Sequence, residues 1–371
     1  MGQETKKTAK TILKAGLLIG ASTLVIAACS GGGGGSSGGS SNPPSSSSPP
    51  PPPPPPATQT PDRPPEPAAA PAGPDFLPAG KGWSLVWQDE FDGTELDDTK
   101  WTAEEACWGG GNNERQCYTQ REDNVEVING LLRLVALEES FTGSTLPVTT
   151  NPGDTATNTQ PYTSGQVRSV GKASWTYGRI SVRAQMPSGQ GTWPAIWMLA
   201  DTATYGTLWP LNGEIDIMEA VNLKATCNEC GGTTGENRTS SAIHFGSEWP
   251  NNQFISERTP LPGEVNPADG YHVYSVEWAE GIMQFFVDDV LHFTVRNFEW
   301  YTDHPDGAGN DNAPFDAPFY LIMNLAIGGG FPEPLNDGGV ATDVAPNQML
   351  IDWVRVYSCD GDPTATACLS N

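Results

Sequence analysis

Three carboxylates stand within six residues of an apolar run, in Glu214-Ile-Asp-Ile-Met-Glu219. Because a β-strand points successive side chains to opposite faces, Glu214 and Asp216 share one face and Glu219 falls on the other. A regular strand would therefore bury one glutamate. A β-bulge at Ile217-Met218 adds one residue and brings Glu219 round to the face of the other two acids. This run predicts a sheet in which one bulged strand lines a groove with three acids.

A row of acids is unfavourable as architecture but useful as chemistry. Like charges packed side by side raise one another's pKa, so one carboxyl can hold its proton near neutrality while another is ionised. Glycoside hydrolysis uses two carboxyl groups in these two states, and in retaining enzymes they lie about 5 to 5.5 Å apart. The alternative is a strand with one solvated acidic face. The three acids alone leave both interpretations open.

Strand-like runs separated by turn residues recur between residues 83 and 357. Alternation is clear in Leu132, Leu134 and Ala136, and Asp288-Asp289 is typical of a hairpin turn. Helical periodicity is almost absent. This pattern predicts one all-β domain, an antiparallel sandwich of two sheets. The predicted strands are 83–87, 125–127, 131–136, 166–170, 179–184, 271–278, 283–287, 290–295 and 349–357.

Composition divides the 371 residues into three parts. Residues 1–28 combine a basic start with an apolar run and end at Ile26-Ala-Ala-Cys29, which predicts a lipoprotein signal peptide. Residues 29–74 are rich in Gly, Ser and Pro, a composition that cannot bury a core and predicts an extended tether. Residues 75–371 have the composition of a single globular domain.

The predicted signal peptide determines the expected location. Cleavage before Cys29 and lipidation of its sulfur would hold the protein on a membrane by acyl chains alone. We expect an exported, lipid-anchored protein of the bacterial cell envelope, facing the periplasm or on the cell surface; the alternative is a secreted protein with a chance cysteine. The net charge of −25 excludes nucleic-acid binding, which needs a basic surface.

The other six cysteines form three close pairs along the chain. In an exported protein an even set of loop cysteines predicts disulfides, each contributing about 2–4 kcal/mol by holding a loop. The middle pair has half a zinc site as its alternative, although no second Cys pair or nearby His completes four ligands. The predicted pairs are Cys107 with Cys117, Cys227 with Cys230, and Cys359 with Cys368.

The segment from Gly213 to Ala220 resembles the catalytic signature of glycoside hydrolase family 16, in the bulged form of its laminarinases. The resemblance extends from about Trp83 to Tyr357. It implies a concanavalin A-like jelly roll with a concave cleft, and no cofactor for catalysis. It also implies that Glu214 is the nucleophile, Glu219 the general acid and then base, and Asp216 their hydrogen-bonding neighbour. The other segments that resemble the family are 177–183, 191–199, 242–246, 319–329 and 351–357.

Several residues are candidates for substrate contact. Trp193 and Trp197 lie four apart on one strand face, where indole rings would stack on sugars; their alternative is the sandwich core. His244 shares a strand face with the small Ala242 and Gly246, which leaves space for a ligand; its alternative is a hydrogen-bonded core histidine. The resemblance adds Arg168, Asn113 and Glu114 as cleft residues. Trp83, Trp87, Trp278 and Trp353 are predicted core residues, and Trp209 and Trp249 stay unassigned.

The resemblance also bears on ligands. It implies a structural calcium ion on the convex face, near Glu90, Gly130 and Asp352. The implied partner is a neutral polysaccharide, and we expect a monomer. Laminarin-type β-1,3-glucan is the first choice and mixed-linkage β-1,3-1,4-glucan the second. Agar- or carrageenan-type galactans come third, because an acidic chain disfavours sulfated polymers.

Long loops and the class of the protein are the subjects of two further predictions. The segments 146–163 and 223–238 are predicted to be long loops that border the cleft. A non-catalytic β-glucan-binding protein on the same fold is an alternative of a different class, since some members of the family recognise glucan after losing the carboxylates. The presence of all three acids favours the enzyme.

Overall fold

A computed structural model of the protein describes residues 62–147, 153, 155–230 and 235–370. In those ranges the regular elements are strands and short 3-10 turns, and none of them is an α-helix. Accordingly, the described part contains no helical segment with the length and apolarity that a membrane crossing requires. The predicted signal peptide, Cys29 and the tether up to residue 61 lie outside the described residues.

Seventeen strands of the described ranges form two sheets. The strands are β1 Trp83–Asp89, β2 Thr102–Ala103, β3 Gln116–Tyr118, β4 Val125–Ile128, β5 Leu131–Ser144, β6 Thr157–Ser164, β7 Gln166–Arg168, β8 Gly178–Gln185, β9 Thr192–Ala200, β10 Glu214–Ala220, β11 Arg238–Phe245, β12 Gln253–Pro260, β13 His272–Ala279, β14 Ile282–Val287, β15 Val290–Arg296, β16 Phe319–Ile327 and β17 Asn347–Cys359.

The larger sheet follows the order β15-β14-β13-β8-β17-β5-β6-β3, with β1 on β17 and β4 on β5. The smaller sheet follows the order β12-β11-β10-β9-β16-β7-β2.

The core lies between the two sheets. Leu132 and Leu134 of β5 and Val182 of β8 face inward from the larger sheet, and Ile215 of β10 and Leu321 of β16 face them from the smaller. All five are fully buried. Period-two alternation sends the residues between them to the outer faces. The predicted all-β sandwich of two mainly antiparallel sheets is confirmed.

Two local predictions have different outcomes. Asp288 and Asp289 join β14 to β15 with φ of 50° and 64°, as a two-residue hairpin with both central residues left-handed requires. The segment 146–163, predicted as a loop, instead contains most of β6, which pairs with β5 and β3. Its sequence is mainly polar, so no alternation of apolar residues marked it as a strand.

The four tryptophans that the sequence predicts for the core lie in different environments. Trp83 and Trp278 lie in the hydrophobic clusters as predicted, and Trp87 packs against one of them. Trp353 is also buried, but under the Arg355 guanidinium, whose carbon lies 4.3 Å from its ring centroid, and not in the sandwich core. The reason is alternation: Val354 and Val356 of the same strand point into the core.

Part of the predicted tether packs on the domain. Arg133, only 1% exposed, donates to the carbonyl oxygens of Pro64 at 2.5 Å and Pro65 at 3.1 Å. Asn129 donates to the carbonyl oxygen of Pro67 at 2.9 Å. Proline-rich backbone keeps all its acceptors free, so it can satisfy buried donors without a core of its own. The interpretation of residues 62–74 as free tether is therefore corrected.

All three predicted disulfides are present. They join Cys107 to Cys117, Cys227 to Cys230 and Cys359 to Cys368. The first fixes the turn before β3, and the last ties the chain end to β17. The middle pair is a disulfide within the segment that precedes β11, and not half of a zinc site.

Candidate active site

β10 lies in the smaller sheet between β9 and β11. The face of this sheet that points away from the core is the predicted concave face. The register of β10 with β11 shifts between Asp216 and Glu219, and Ile217 and Met218 both face the core. This is the predicted bulge, at the predicted position. It places Glu214, Asp216 and Glu219 together on the concave face.

Gly213 fixes the start of this strand. It adopts φ of 82°, which side-chain-bearing residues rarely tolerate. A Cβ here would lie 2.8 Å from Phe315 and 3.0 Å from Phe319. The absent side chain therefore lets the strand begin directly against the core, so that Glu214 is held by a rigid support.

Each outer acid of the row is held by an indole. Trp209 Nε1 donates to Glu214 Oε2 at 2.8 Å, and Trp193 Nε1 donates to Glu219 Oε1 at 2.8 Å. Trp193 comes from β9, whereas Trp209 comes from the connection between β9 and β10. Trp209 had no sequence assignment. The sequence offers one signal for its role, namely its position five residues before Glu214 in the connection that leads into β10.

His244 lies beside the first two acids. Its Nε2 is 3.3 Å from Asp216 Oδ2 and 3.6 Å from Glu214 Oε1. The ring lies between two aromatic side chains, with centroids 5.5 Å from Trp209 and 5.4 Å from Phe254. The exposed Phe254 was missed from the sequence, because an apolar residue on an edge strand gives no chemical signal.

The three carboxyls are withdrawn from water. The side chain of Glu214 is 13% exposed and that of Asp216 is 3% exposed. Burial, and next the charge of Asp216, raise the pKa of Glu214 to about 8 and that of Glu219 to about 7. Burial also raises the pKa of Asp216 to about 8, although a hydrogen bond with Glu214 opposes the rise. The row therefore retains protons at neutral pH.

The two ends of the row differ in their contacts. His244 Nε2 lies against Glu214 and Asp216, so a positive charge on His244 stabilises an ionised carboxylate at that end. This contact distinguishes Glu214 from Glu219.

Trp197, the second predicted cleft tryptophan, is held by a buried polar chain. Its Nε1 donates to Asn324 Oδ1 at 2.7 Å, and Asn324 Nδ2 donates to the Tyr118 hydroxyl at 3.0 Å. That hydroxyl and the Gln116 amide donate to Glu114 Oε2 at 3.4 and 2.6 Å. Burial raises the pKa of Glu114. Glu114 is thus linked to Trp197 by hydrogen bonds, and its predicted contact with substrate stays a prediction.

The other two candidates lie apart from the acids. Arg168 is on β7, separated from β10 by β9 and β16, and pairs with Glu104 in a buried contact. Asn113 is exposed in a left-handed turn with φ of 60°. Neither residue therefore touches the catalytic row, and their predicted contact with substrate stays a prediction.

The residues implied for calcium have other partners. Glu90 accepts from Arg355 Nε at 2.7 Å and Nη2 at 2.8 Å, and Asp352 pairs with Arg183 Nη1. Across the described ranges, no metal-competent cluster of His, Cys, Asp and Glu includes either carboxylate. Guanidinium groups neutralise both acids, so these residues do not fit a calcium ion.

Comparison with known proteins agrees with this geometry. Residues 83–359 match the family profile described as β-porphyranase A–D, GH16 domain. The chain belongs to glycoside hydrolase family 16. This family 16 domain thus occupies three quarters of the chain, from the start of β1 to the end of β17.

Two curated relatives and one solved structure are similar to this family 16 protein. It is 42% identical to glucan endo-1,3-β-glucosidase A1 of Niallia circulans, over 76% of this chain and 38% of that protein. It is 40% identical to a β-glucanase of Rhodothermus marinus, over 74% and 85%. The laminarinase structure from Rhodothermus marinus superposes with a TM-score of 0.57 at 36% identity, over 74% of this chain and 97% of that one.

Proposed function

We propose that this protein is an endo-acting, retaining β-glucan hydrolase that cleaves β-1,3-glucosidic bonds of the laminarin type. The observation that carries the proposal is the bulged β10, which gathers three buried carboxyls on the concave face with an indole N–H on each outer one. The similarity to two glucanases supports the choice of glucan.

The proposed reaction is a double displacement. The ionised Glu214 carboxylate attacks the anomeric carbon while Glu219 gives its proton to the departing glycosidic oxygen, so the C–O bond breaks as a glycosyl-enzyme ester forms. Glu219, now a base, takes a proton from water, which attacks the ester and frees Glu214. His244 stabilises the charge on Glu214, and Asp216 is the hydrogen-bonding neighbour that tunes the carboxyls. Trp193 and Trp197, half-buried on the concave face, supply stacking surfaces for sugar rings.

The decisive experiment combines a reducing-end assay on laminarin with three variants. Glu214→Ser abolishes hydrolysis but regains turnover with an α-glycosyl fluoride, which supplies the intermediate's configuration. Glu219→Gln slows hydrolysis by about 10²–10⁴ and less on activated aryl glycosides, whose leaving group needs no proton. Glu257→Gln, an exposed acid of β12, is the matched control and stays active. Release of the α-anomer first, observed by proton NMR, contradicts retention.

A second substrate follows from the family profile, whose description names β-porphyranases. A β-galactan is therefore the second candidate, and mixed-linkage glucan is a related alternative within the first class. A panel of laminarin, mixed-linkage glucan and porphyran at equal mass separates them. Turnover of porphyran above laminarin would replace the glucan proposal. Binding of laminarin without hydrolysis of any polymer would instead support a glucan-binding protein.

We also propose that the mature protein is exported and lipid-anchored at Cys29. The three disulfides support an oxidising compartment, because thiols stay reduced in the bacterial cytoplasm. A tether before the domain would give the cleft reach toward an insoluble polymer.

A further inference from the structure

Arg258 is a cation that the reaction scheme does not use. It lies on β12, the edge strand of the smaller sheet, opposite Ser240 of β11, which in turn lies opposite Glu219 of β10. Residues paired in this way point to the same face of a sheet. The guanidinium therefore shares the concave face with the proposed general acid, separated from it by one small serine.

A closed set of contacts links Arg258 to the same carboxyl by a second route. Its guanidinium carbon lies 5.7 Å from the ring centroid of Phe331. The Phe331 ring meets Trp193 edge to face, with centroids 5.5 Å apart. Trp193 donates its indole N–H to Glu219. Movement of the guanidinium would therefore disturb the donor that holds the acid.

The position of Arg258 is fixed from behind by Glu236, which is fully buried. Arg258 Nη2 lies 3.1 Å from Glu236 Oε2, and the same carboxylate accepts from Arg238 at 2.8 Å and Asn336 at 3.0 Å. Burial opposes ionisation of Glu236, but these donors outweigh it and lower its pKa. One carboxylate thus pairs with two arginines and neutralises only one of their two charges. A net positive charge therefore remains on the cleft side. The exposed Glu229 also attracts Arg258, but its charge acts on Arg258 less than that of Glu236 does.

The charged groups that act on Glu219 come from its own strand and from β11 and β12. Glu214 and Asp216 on its own strand are acids, and Asp216 raises its pKa. Among the neighbouring strands, β9 contributes the neutral Trp193, β11 contributes His244 and β12 contributes Arg258. The charges of His244 and Arg258 both oppose the rise in the pKa of Glu219. Arg258 is always protonated at working pH, whereas a histidine is not.

We propose that Arg258 is a positioning residue for Glu219: its charge keeps the buried acid able to release its proton, and its contact with Phe331 keeps Trp193 on the same carboxyl. The proposal rests on the proposed function for the role of Glu219 as general acid. It explains why a half-buried cation lies on the wall of a cleft in a protein of net charge −25.

The test compares Arg258→Met, Arg258→Lys and the control Arg296→Met, which removes an exposed arginine from β15 of the other sheet. The basic limb of the pH profile of kcat/KM reports the general acid of the free enzyme. With laminarin, Arg258→Met moves this limb to higher pH by about half a unit or more and lowers kcat more than it changes KM. Arg258→Lys keeps the charge and restores the limb, and Arg296→Met leaves it in place.

A second measurement needs no turnover. The ¹³C NMR titration of the Glu219 carboxyl, assigned by its absence in Glu219→Gln, gives the pKa directly in the wild type and in Arg258→Met. A rise in Arg258→Met supports the inference even if the wild type hydrolyses none of the glucans, in which case the proposed function alone fails. An unchanged pKa, or an equal rise in Arg258→Lys, overturns the inference whatever the protein hydrolyses.

Discussion

Asp216 shows how the row of acids lowers the stability of the fold. It lies between two glutamates and is almost fully buried, with its Oδ2 lacking a hydrogen bond in the described part of the chain. Burial raises its pKa from 3.8 to about 8. The folded protein therefore keeps a proton that the unfolded chain releases above about pH 4. The contribution of Asp216 to stability is therefore fully present below about pH 4 and is lost as the pH rises toward 8.

The direction of this pKa shift predicts how Asp216→Asn changes stability with pH. The amide removes the buried acid, so the variant is more stable than the wild type above about pH 5, by an amount that grows up to pH 8 and vanishes near pH 4. Activity falls, because the neighbour that tunes Glu214 is gone. Calorimetric melting temperatures from pH 4 to 8.5 measure the effect. Asp92→Asn, at an exposed acid, serves as the control. Equal stability of the two variants at pH 8 would contradict the prediction.

At the scale of elements, two features of the sandwich act on its opposite faces. The bulge in β10 orients the acids on the concave face, and the segment from Arg63 to Phe76 covers the convex face. On that outer side, Arg179 is fully buried, pairs with Glu277 at 2.7 Å and donates to the Phe76 carbonyl oxygen at 3.1 Å. The covering segment is therefore part of the folded domain although its composition is that of a linker.

We expect its removal to be measurable. A chain that begins at Pro78 loses the acceptors of Arg133, Asn129 and Arg179, and its free energy of unfolding falls by about 2–4 kcal/mol. A chain that begins at Asp62 keeps these contacts and matches the longer protein. Urea unfolding curves compare the two. The kcat on laminarin stays the same at low temperature, because the segment is on the face opposite the cleft. Equal stability of both chains would restore the interpretation of this segment as free tether.

At the scale of the whole molecule, arginines pair with two carboxylates that the family resemblance implied for calcium. Arg355 and Arg183 neutralise Glu90 and Asp352 on the convex side. A buried or half-buried ion pair is stable only when both partners stay in place, so a divalent cation would first have to displace a guanidinium.

We therefore expect calcium independence. The melting temperature is the same, within about 1 °C, in EDTA and in millimolar calcium, because the two carboxylates already have cationic partners. Thermal shift with the purified domain measures it, with magnesium as the control for ionic strength. A fall in melting temperature in EDTA that calcium alone reverses would show that the carboxylates bind the metal.

The proposed anchor also belongs to the whole molecule. With Cys29→Ser, the protein moves from the membrane to the soluble fraction and keeps its glucanase activity, because the acyl chains are lost while the domain is unchanged. Fractionation with mass spectrometry of the mature N-terminus follows this. Wild-type protein found wholly soluble, with an N-terminus other than Cys29, would contradict anchoring.

The sequence alone determined the features that are local or periodic. Alternation in β5 and β8, the hairpin at Asp288-Asp289 and the close cysteine pairs each involve residues near one another in the chain, so their side-chain pattern predicts their structure. The bulge in β10 was predictable for the same reason: three acids cannot share a face of a regular strand without it.

Only the tertiary structure decided which distant groups meet. Trp209 reaches Glu214 from a connection, whereas Arg258 on an edge strand and Phe331 on a later segment are linked to Glu219 through Trp193. None of the three residues carries a local pattern that names its partner. Likewise, Pro64 has the composition of a linker, and its place on the domain depends on Arg133, 69 residues away. Contacts of this kind arise because folding buries donors and charges that must then find partners, and the nearest partner in space is not the nearest in sequence.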